Sequence, residues 1–406
     1  MNIIIPLAGY GKRFLMEGYV RPKPFIRVNG KEILLWLLEN LSLTHIDNLI
    51  FVYNTNPHLG MSPENFFTTV TDYVASRPPK TRPSVRFIPL STGTVGSAET
   101  VLRALESLST DDLKRPAVLL DGDTFYSHDI LKDYRTFLAG DDGLSPGGLV
   151  FVFDDDRSDA PYSYVKVSES FELSTSNIFS VTNIKEKDKT DMSPLACSGC
   201  YCFNSSAELR VFISKAFVAH ERKRTAAESS SVELYTSCVI SDMIQSGRHF
   251  AALRLLCDDF TVLGTPAQLK DFMARTACPP KRFCFDLDGT LVTAPRIPGD
   301  YTTCEPIHHM IQYLQQLHEN GHYIIIHTAR RMRTHGGNTG AVLSDVGSIT
   351  LNQLKQFHVP HDEVHFGKPF ADFYVDDKAV VALVDDISKE TGVSPKPKSA
   401  GNFEAS

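Results

Sequence analysis

A chain of 406 residues is too long for one ordinary hydrophobic core and implies two or three domains. Its 42% hydrophobic and 22% charged residues are those of a globular protein, and with a net charge of −7 nothing favours binding a nucleic-acid backbone, while a local basic pocket for a small anion remains open. No run approaches the ~18 apolar residues of a membrane span, the N-terminus has no leader-like basic region, and eight cysteines do not make a disulfide scaffold, so a cytoplasmic protein with reduced thiols is expected.

Taken in chain order, apolar runs at 2–6 (NIIIP), 49–53 (LIFVY), 85–90 (VRFIPL), 117–120 (AVLL) and 149–153 (LVFVF) predict strands. GKEILLWLLENL (30–41) and GSAETVLRALESL (96–108) predict helices between them. This alternation argues for an α/β fold with helices on both faces of its sheet. CSGCYC (197–202) sets Cys197 and Cys200 at zinc-knuckle spacing, but no second ligand pair lies nearby, and the alternation in SGCYCF reads better as a packed core strand. A Pro-Pro break in ARTACPPKR marks a boundary between Asp271 and Lys281. A second β–α series follows, with strands at 282–285 (RFCF), 323–327 (YIIIH), 363–366 (EVHF) and 372–375 (DFYV) and a helix over 305–321. From Gly392 onwards Ser, Pro and Gly dominate, as in a disordered tail. The expected division is therefore 1–270, a linker at 271–281, a second domain over 282–391, and a tail at 392–406.

LAGYGKRF follows the first strand. Gly9 and Gly11 let a loop wrap phosphates with backbone N–H groups, and Arg13 and Lys23 add positive charge. Transfer of a nucleotidyl group expels pyrophosphate, so it needs that charge and a metal. The loop lacks the GKS/T ending of a P-loop, and a structural turn is its plainer alternative.

GYGKRF followed by PKP (22–24) resembles the nucleotidyltransferases that make nucleotide sugars and related activated phosphates, over about residues 1–268. The resemblance implies a Rossmann-like, GT-A-like mixed sheet. It also implies nucleotide contacts from Leu7, Ala8, Gly9, Gly11, Lys12 and Asp121, with Arg13 and Lys23 catalytic. Gly96 of GSAETVL would lie against the base, and Asp123 of LLDGDTF (119–125) would hold Mg²⁺ unless DGDT is merely a turn or helix cap. Glu186 and Lys187 would bind the acceptor, and LGTPAQL (263–269) matches the end of the fold. One position departs: Val262 stands where the family has a second metal-binding Asp, so either Asp258 or Asp259 substitutes or that ligand is missing. CTP is preferred by resemblance to the phospho-alcohol branch, with UTP and dTTP open.

In the second series, Asp286 ends a predicted strand and Asp288 lies two residues on, at the sheet edge where parallel α/β folds place ligands. One carboxylate can attack phosphorus and the other can move protons, given Mg²⁺ and a lysine to neutralise charge. Thr328, Lys368, Asp376 and Asp377 all follow predicted strands. DLDGT, HTAR, GKP and YVDD resemble haloacid dehalogenase superfamily phosphatases, most closely the capsule-biosynthesis branch, over nearly all of 282–382 and without a large cap. That implies Asp286 as nucleophile, Asp288 as acid/base, Thr328 and Lys368 as phosphate contacts, and Mg²⁺ held by Asp286, Asp288, Asp376 and Asp377. The run Arg330, Arg331, Arg333 reads either as a grip on a substrate's distal charge or as a solvated loop.

The expectation is a bifunctional enzyme of surface-glycan or activated-metabolite synthesis, acting on a nucleoside triphosphate and small phosphorylated metabolites, with homo-oligomers left open. The alternative keeps one catalytic domain and makes the other a phosphate-binding or regulatory module.

Overall fold

The computed structural model describes residues 1–9, 11–19, 21–55, 63–140, 146–168, 177–226, 233–276, 278–376 and 378–380. Tyr10, Asp377, the last residues of the expected second domain and the tail at 392–406 lie outside them. The chain divides into two compact units, Met1–Ile26 with Lys31–Leu269, and Arg27–Gly30 with Lys270–Ser406. Among the described residues no helix is long and apolar enough to cross a membrane.

The first unit is built on a nine-stranded mixed sheet. Strands β1 (Asn2–Leu7), β2 (Asn48–Asn54), β3 (Ser84–Leu90) and β4 (Ala117–Leu120) are its parallel part, in the order β3-β2-β1-β4. β1 and β2 are buried along almost their whole length, which is why they read as unbroken apolar runs instead of alternating. Pro6 is tolerated within β1 because the pairing to β4 ends at Ile4↔Leu119, before proline's missing N–H matters on that side.

A short strand β5 (Thr124–Tyr126) follows, and then the strands that make the sheet mixed. These are β6 (Pro146–Asp154), β7 (Ser163–Val167), β8 (Ile178–Glu186), β9 (Leu195–Phe203) and β10 (His249–Arg254). They continue the order as β4-β9-β6-β10-β8-β7, and only β6–β10 is parallel. β11 (Phe260–Val262) pairs antiparallel with β5 outside the main sheet. The sheet is mixed, as the resemblance implies, and only its first four strands form a parallel block. Beyond β4 consecutive strands are mostly not neighbours in the sheet, β7 and β8 excepted, and two helices intervene before β10.

Cys197, Cys200 and Cys202 are buried side chains of β9, as the core-strand reading requires. The helix expected over 30–41 is shorter, Ile33–Glu39 (α2, after the short α1 at Lys12–Met16), because Lys31–Glu32 is extended. Helix α3 (Ser97–Glu106) packs with α4 (Ser206–Ala226) and α5 (Thr236–Gln245) in one apolar cluster that includes Val101, Leu105, Leu209, Ile213, Val239 and Ile240.

The second unit carries a three-stranded parallel sheet in the order β12 (Arg282–Phe285), β13 (Tyr323–Thr328), β14 (Glu363–Phe366). Helix α6 (His308–Glu319) buries Met310, Ile311, Leu314 and Leu317 against Phe285, Ile324 and Ile326. The strand expected at 372–375 does not form. Phe373 and Val375 stand 87% and 99% exposed, and among the described residues no strand pairs with the segment. Four β-prone residues are a weak signal, because strand preference is decided by the partner and not by the segment.

Candidate active site

In the first unit a cleft of about 770 Å³ opens over the carboxyl ends of β1 and β4. β1 ends at Leu7, and the chain turns through Ala8 and Gly9 into α1. Phe14 is buried edge-on to Tyr19, with ring centroids 5.2 Å apart, which anchors the loop and leaves Lys12 and Arg13 exposed at the cleft wall. Lys23 begins a short 3-10 turn between Pro22 and the buried Pro24. Its ammonium crosses the cleft floor to an ion pair with Asp123.

Asp121 and Asp123 leave the end of β4 on opposite sides of Gly122. Asp121 is exposed to the cleft, yet desolvation by the protein crowded around its carboxyl and the neighbouring Asp123 carboxylate push it up to about 7, against the pull of Lys23. Its N–H donates to Gly199 O, 3.0 Å away. Gly199 sits at φ +93° where the β9–β6 register shifts, and a Cβ there would lie 2.6 Å from the Asp121 carboxylate. The glycine inside CSGC is therefore part of the cleft's construction.

At the other end of the cleft lies the loop before α3. A Cβ on Gly96 would fall 2.4 Å from Leu234 O, so only glycine lets this loop close on the segment that opens α5. Glu186 and Lys187 follow at the end of β8. The Glu186 carboxylate accepts hydrogen bonds from Ser163 and, at 2.7 Å, from Ser237.

Val262 pairs with Thr124, and Leu263 N donates to Asp123 O, so Val262 does stand beside the metal candidate. Neither Asp258 nor Asp259 takes its place. They lie at the far end of the β5–β11 pair, where Asp259 caps the N–H of Leu256 at 2.7 Å and its carbonyl receives Ser127 and His128. Among the described residues no three His, Cys, Asp or Glu side chains converge on a metal position. An all-oxygen ion with one or two protein carboxylates, completed by triphosphate and water, still fits Asp123 and Asp121, since Mg²⁺ commonly keeps most of its shell outside the protein.

Sequence reasoning missed His220, Glu233 and Tyr235, which line the same cleft from α4 and from the start of α5. No local pattern marks them, because their role comes from tertiary approach.

In the second unit Asp286 leaves the end of β12, and Lys368 leaves β14 with its ammonium 3.0 Å from the Asp286 carboxylate. Lys368 N donates to Thr328 O at 3.2 Å, and Thr328 is 1% exposed. Three of the expected groups thus meet at the carboxyl edge of one sheet. Asp376 does not join them. It is exposed, it accepts from Lys378 N at 2.6 Å, and no described carboxylate cluster forms around Asp286.

Arg330 corrects both readings offered for it. Its side chain is fully buried. Its guanidinium donates to Asp288 at 2.9–3.1 Å and also to Thr350 Oγ1 and Gln353 Oε1. It holds Asp288 and offers nothing to a distal substrate charge. Arg331 donates to Gly299 O at 2.7 Å, and Arg333 lies over the Phe370 ring.

A model of the nucleotidyl transferase family matches residues 2–238, more than half of the chain. No curated protein matches it. Among solved structures, the nucleoside-diphosphate-sugar pyrophosphorylase of Vibrio cholerae RC9 superposes with a TM-score of 0.52 at 20% identity, over 67% of this chain and 99% of that one. A UDP-glucose pyrophosphorylase complexed with UDP-glucose superposes at 0.50 and 16% identity, over 67% and 96%. At these identities the likeness shows the fold.

Proposed function

The chain belongs to the nucleotidyl transferase family, and from that premise we propose that its first unit moves a nucleotidyl group from a nucleoside triphosphate to a phosphorylated sugar or alcohol. An acceptor phosphate oxygen bonds to the α-phosphorus, the α–β phosphoanhydride bond breaks, and pyrophosphate leaves. The observation carrying this reading is the convergence of Gly9, Gly11, Lys12, Arg13, Lys23 and Asp123 on one cleft. Arg13 and Lys23 stabilise the charge that grows on the leaving phosphates. When bound, Mg²⁺ adds Lewis-acid charge at Asp123, and the Lys23 ammonium, which pairs with that carboxylate, becomes available to phosphate oxygens. CTP is the preferred nucleotide; UTP and dTTP are the competitors.

A second activity is favoured by the Asp286–Lys368 pair beside Thr328. In this reading Asp286 attacks a phosphomonoester and forms an aspartyl-phosphate. The alcohol leaves with a proton from Asp288, which then takes a proton from the water that attacks the aspartyl-phosphate and releases inorganic phosphate; Mg²⁺, when bound, would be held by Asp286 and Asp288 and would neutralise phosphate charge. A haloacid dehalogenase-like unit of this kind fused to a transferase would serve one pathway of activated-metabolite synthesis.

The test follows pyrophosphate and inorganic phosphate separately, with each nucleoside triphosphate and a panel of phosphorylated sugars and alcohols. Pyrophosphate lost only in Lys23→Ala and phosphate lost only in Asp286→Asn would support two independent sites. Phosphate release that survives Asp286→Asn would remove the second.

A further inference from the structure

Lys187 ends an edge region of the sheet in an unusual way. Its φ is +51°, a left-handed conformation that a lysine rarely adopts, and its N–H donates to Tyr162 O at 2.8 Å. Its long side chain is exposed but held at its tip. The ammonium lies 4.6 Å from the centre of the Tyr235 ring and donates to the Tyr235 hydroxyl at 2.7 Å. Tyr235 lines the cleft and immediately precedes α5.

The residues on either side of Tyr235 fix its place twice over. Leu234 N donates to Val95 O at 2.9 Å and Ala98 N donates to Leu234 O at 3.1 Å, which ties the segment to the loop around Gly96. Ser237, 1% exposed, donates to Glu186, the residue next to Lys187. A half-buried tyrosine under an exposed lysine is ordinarily a surface pair. Here four consecutive residues, 234–237, contact both the cleft-lining loop around Gly96 and the neighbouring charged residues Glu186 and Lys187.

From this we infer that Tyr235 is a positioning residue, holding the Lys187 ammonium at the acceptor end of the cleft for the phosphate of a phosphomonoester. The inference deepens the nucleotidyl-transfer reading and rests on it. A free lysine loses side-chain entropy when it binds an oxyanion, and Tyr235 removes much of that loss beforehand. The ring supplies cation–π attraction and the hydroxyl supplies a charge-assisted bond. That bond also favours the charged form of Lys187 and raises its pKa, against partial burial, and the nearby Glu186 and Glu233 carboxylates add to the rise.

The probe is inorganic phosphate, titrated into the full chain with Mg²⁺ and a non-hydrolysable CTP analogue present and followed by ³¹P NMR. All samples carry Lys368→Ala, so that phosphate at the second unit does not contribute. Lys187→Ala should weaken binding about tenfold, as for loss of one charge-assisted contact. Tyr235→Ala should match it, and Tyr235→Phe, which keeps the ring, should lose only about threefold. Tyr235→Phe should also move the alkaline fall-off of phosphate binding to lower pH, a change that a purely structural tyrosine would not produce. Melting curves identify any variant that fails to fold, and for such a variant the Phe substitution and its pH profile decide. A Lys187→Ala loss with no change in either Tyr235 variant would overturn the positioning role alone. Phosphate binding indifferent to Lys187→Ala would overturn the acceptor reading beneath it.

Discussion

Arg330 holds Asp288 through three N–H···O contacts of 2.9–3.1 Å while its own side chain is wholly buried. A guanidinium in that position has no water to fall back on, so its remaining donors go to Thr350 and Gln353. The pair is therefore both an anchor for the DLDGT turn and a constraint on the carboxylate expected to move protons.

Removing either partner should cost more than the pair contributes, because it strands the other. Asp288→Leu leaves a buried guanidinium with one partner fewer and should destabilise the second unit by about 3 kcal/mol. Arg330→Lys keeps the charge but loses the fork, and should reduce phosphomonoesterase turnover more than it lowers the melting temperature. Calorimetry and phosphate release on the same samples separate the two effects. Turnover unchanged in Arg330→Lys would show that the fork does not set the Asp288 geometry.

The Lys23–Asp123 ion pair makes a second prediction. Asp123→Asn should abolish acceptor-dependent pyrophosphate release by at least ~100-fold, in line with the loss of a main electrostatic group, yet leave the fold intact because both side chains are partly exposed. Chelation with EDTA should stop wild-type release and Mg²⁺ should restore it. Release that persists in EDTA would mean that Lys23 and Arg13 suffice without an ion.

Much of this site was legible because its parts sit in short, ordered segments. LAGYGKRF, PKP and LLDGDTF each put their charged residue at the end of a strand or in a turn, and described residues of all three line one cleft. The three-stranded sheet of the second unit and its Asp286–Lys368 pair were legible for the same reason. Arg330 was misread because a run of three arginines looks solvated until Thr350 and Gln353, some twenty residues on, are brought to it. Gly199 looked like part of a cysteine pattern, since nothing local shows that its missing Cβ makes room for Asp121. Tyr235 carries no motif at all. Its meaning lies in contacts with Lys187, 48 residues away in sequence.

Asp155 gives a pH prediction with a definite sign. Burial alone would raise its carboxyl pKa. Hydrogen bonds from Tyr164, Arg157 and Lys189 outweigh that and hold it at about 2. A depressed folded-state value contributes stability above the unfolded pKa of about 3.9 and loses it as pH falls through about 2. Asp155→Asn should therefore cost about 2 kcal/mol at pH 7, and the gap to wild type in denaturant unfolding should narrow between pH 5 and pH 2, by the same linkage. A gap constant with pH would assign the loss to packing and not to the charge.

Gly96 tests whether the nucleotide end of the cleft depends on backbone approach. A Cβ there meets the Leu234 carbonyl oxygen at 2.4 Å and its nitrogen at 2.6 Å, and backbone cannot swing aside as a side-chain tip can. Gly96→Ala must push the 94–98 loop away from Leu234, breaking the Leu234–Val95 and Ala98–Leu234 hydrogen bonds. The expected cost is on the order of 2 kcal/mol in stability, from strain and two weakened backbone bonds. The same displacement carries Ser97 and Thr100 off the cleft wall, so nucleotide affinity should fall at least as steeply. The Asp286–Lys368 pair lies in the other unit and should be indifferent, which makes phosphate release the internal control. Fluorescence titration of a labelled nucleoside triphosphate against Gly96→Ala decides the matter. Undiminished affinity would mean that the base is read elsewhere in the cleft, with His220 and Glu233 the next residues to substitute.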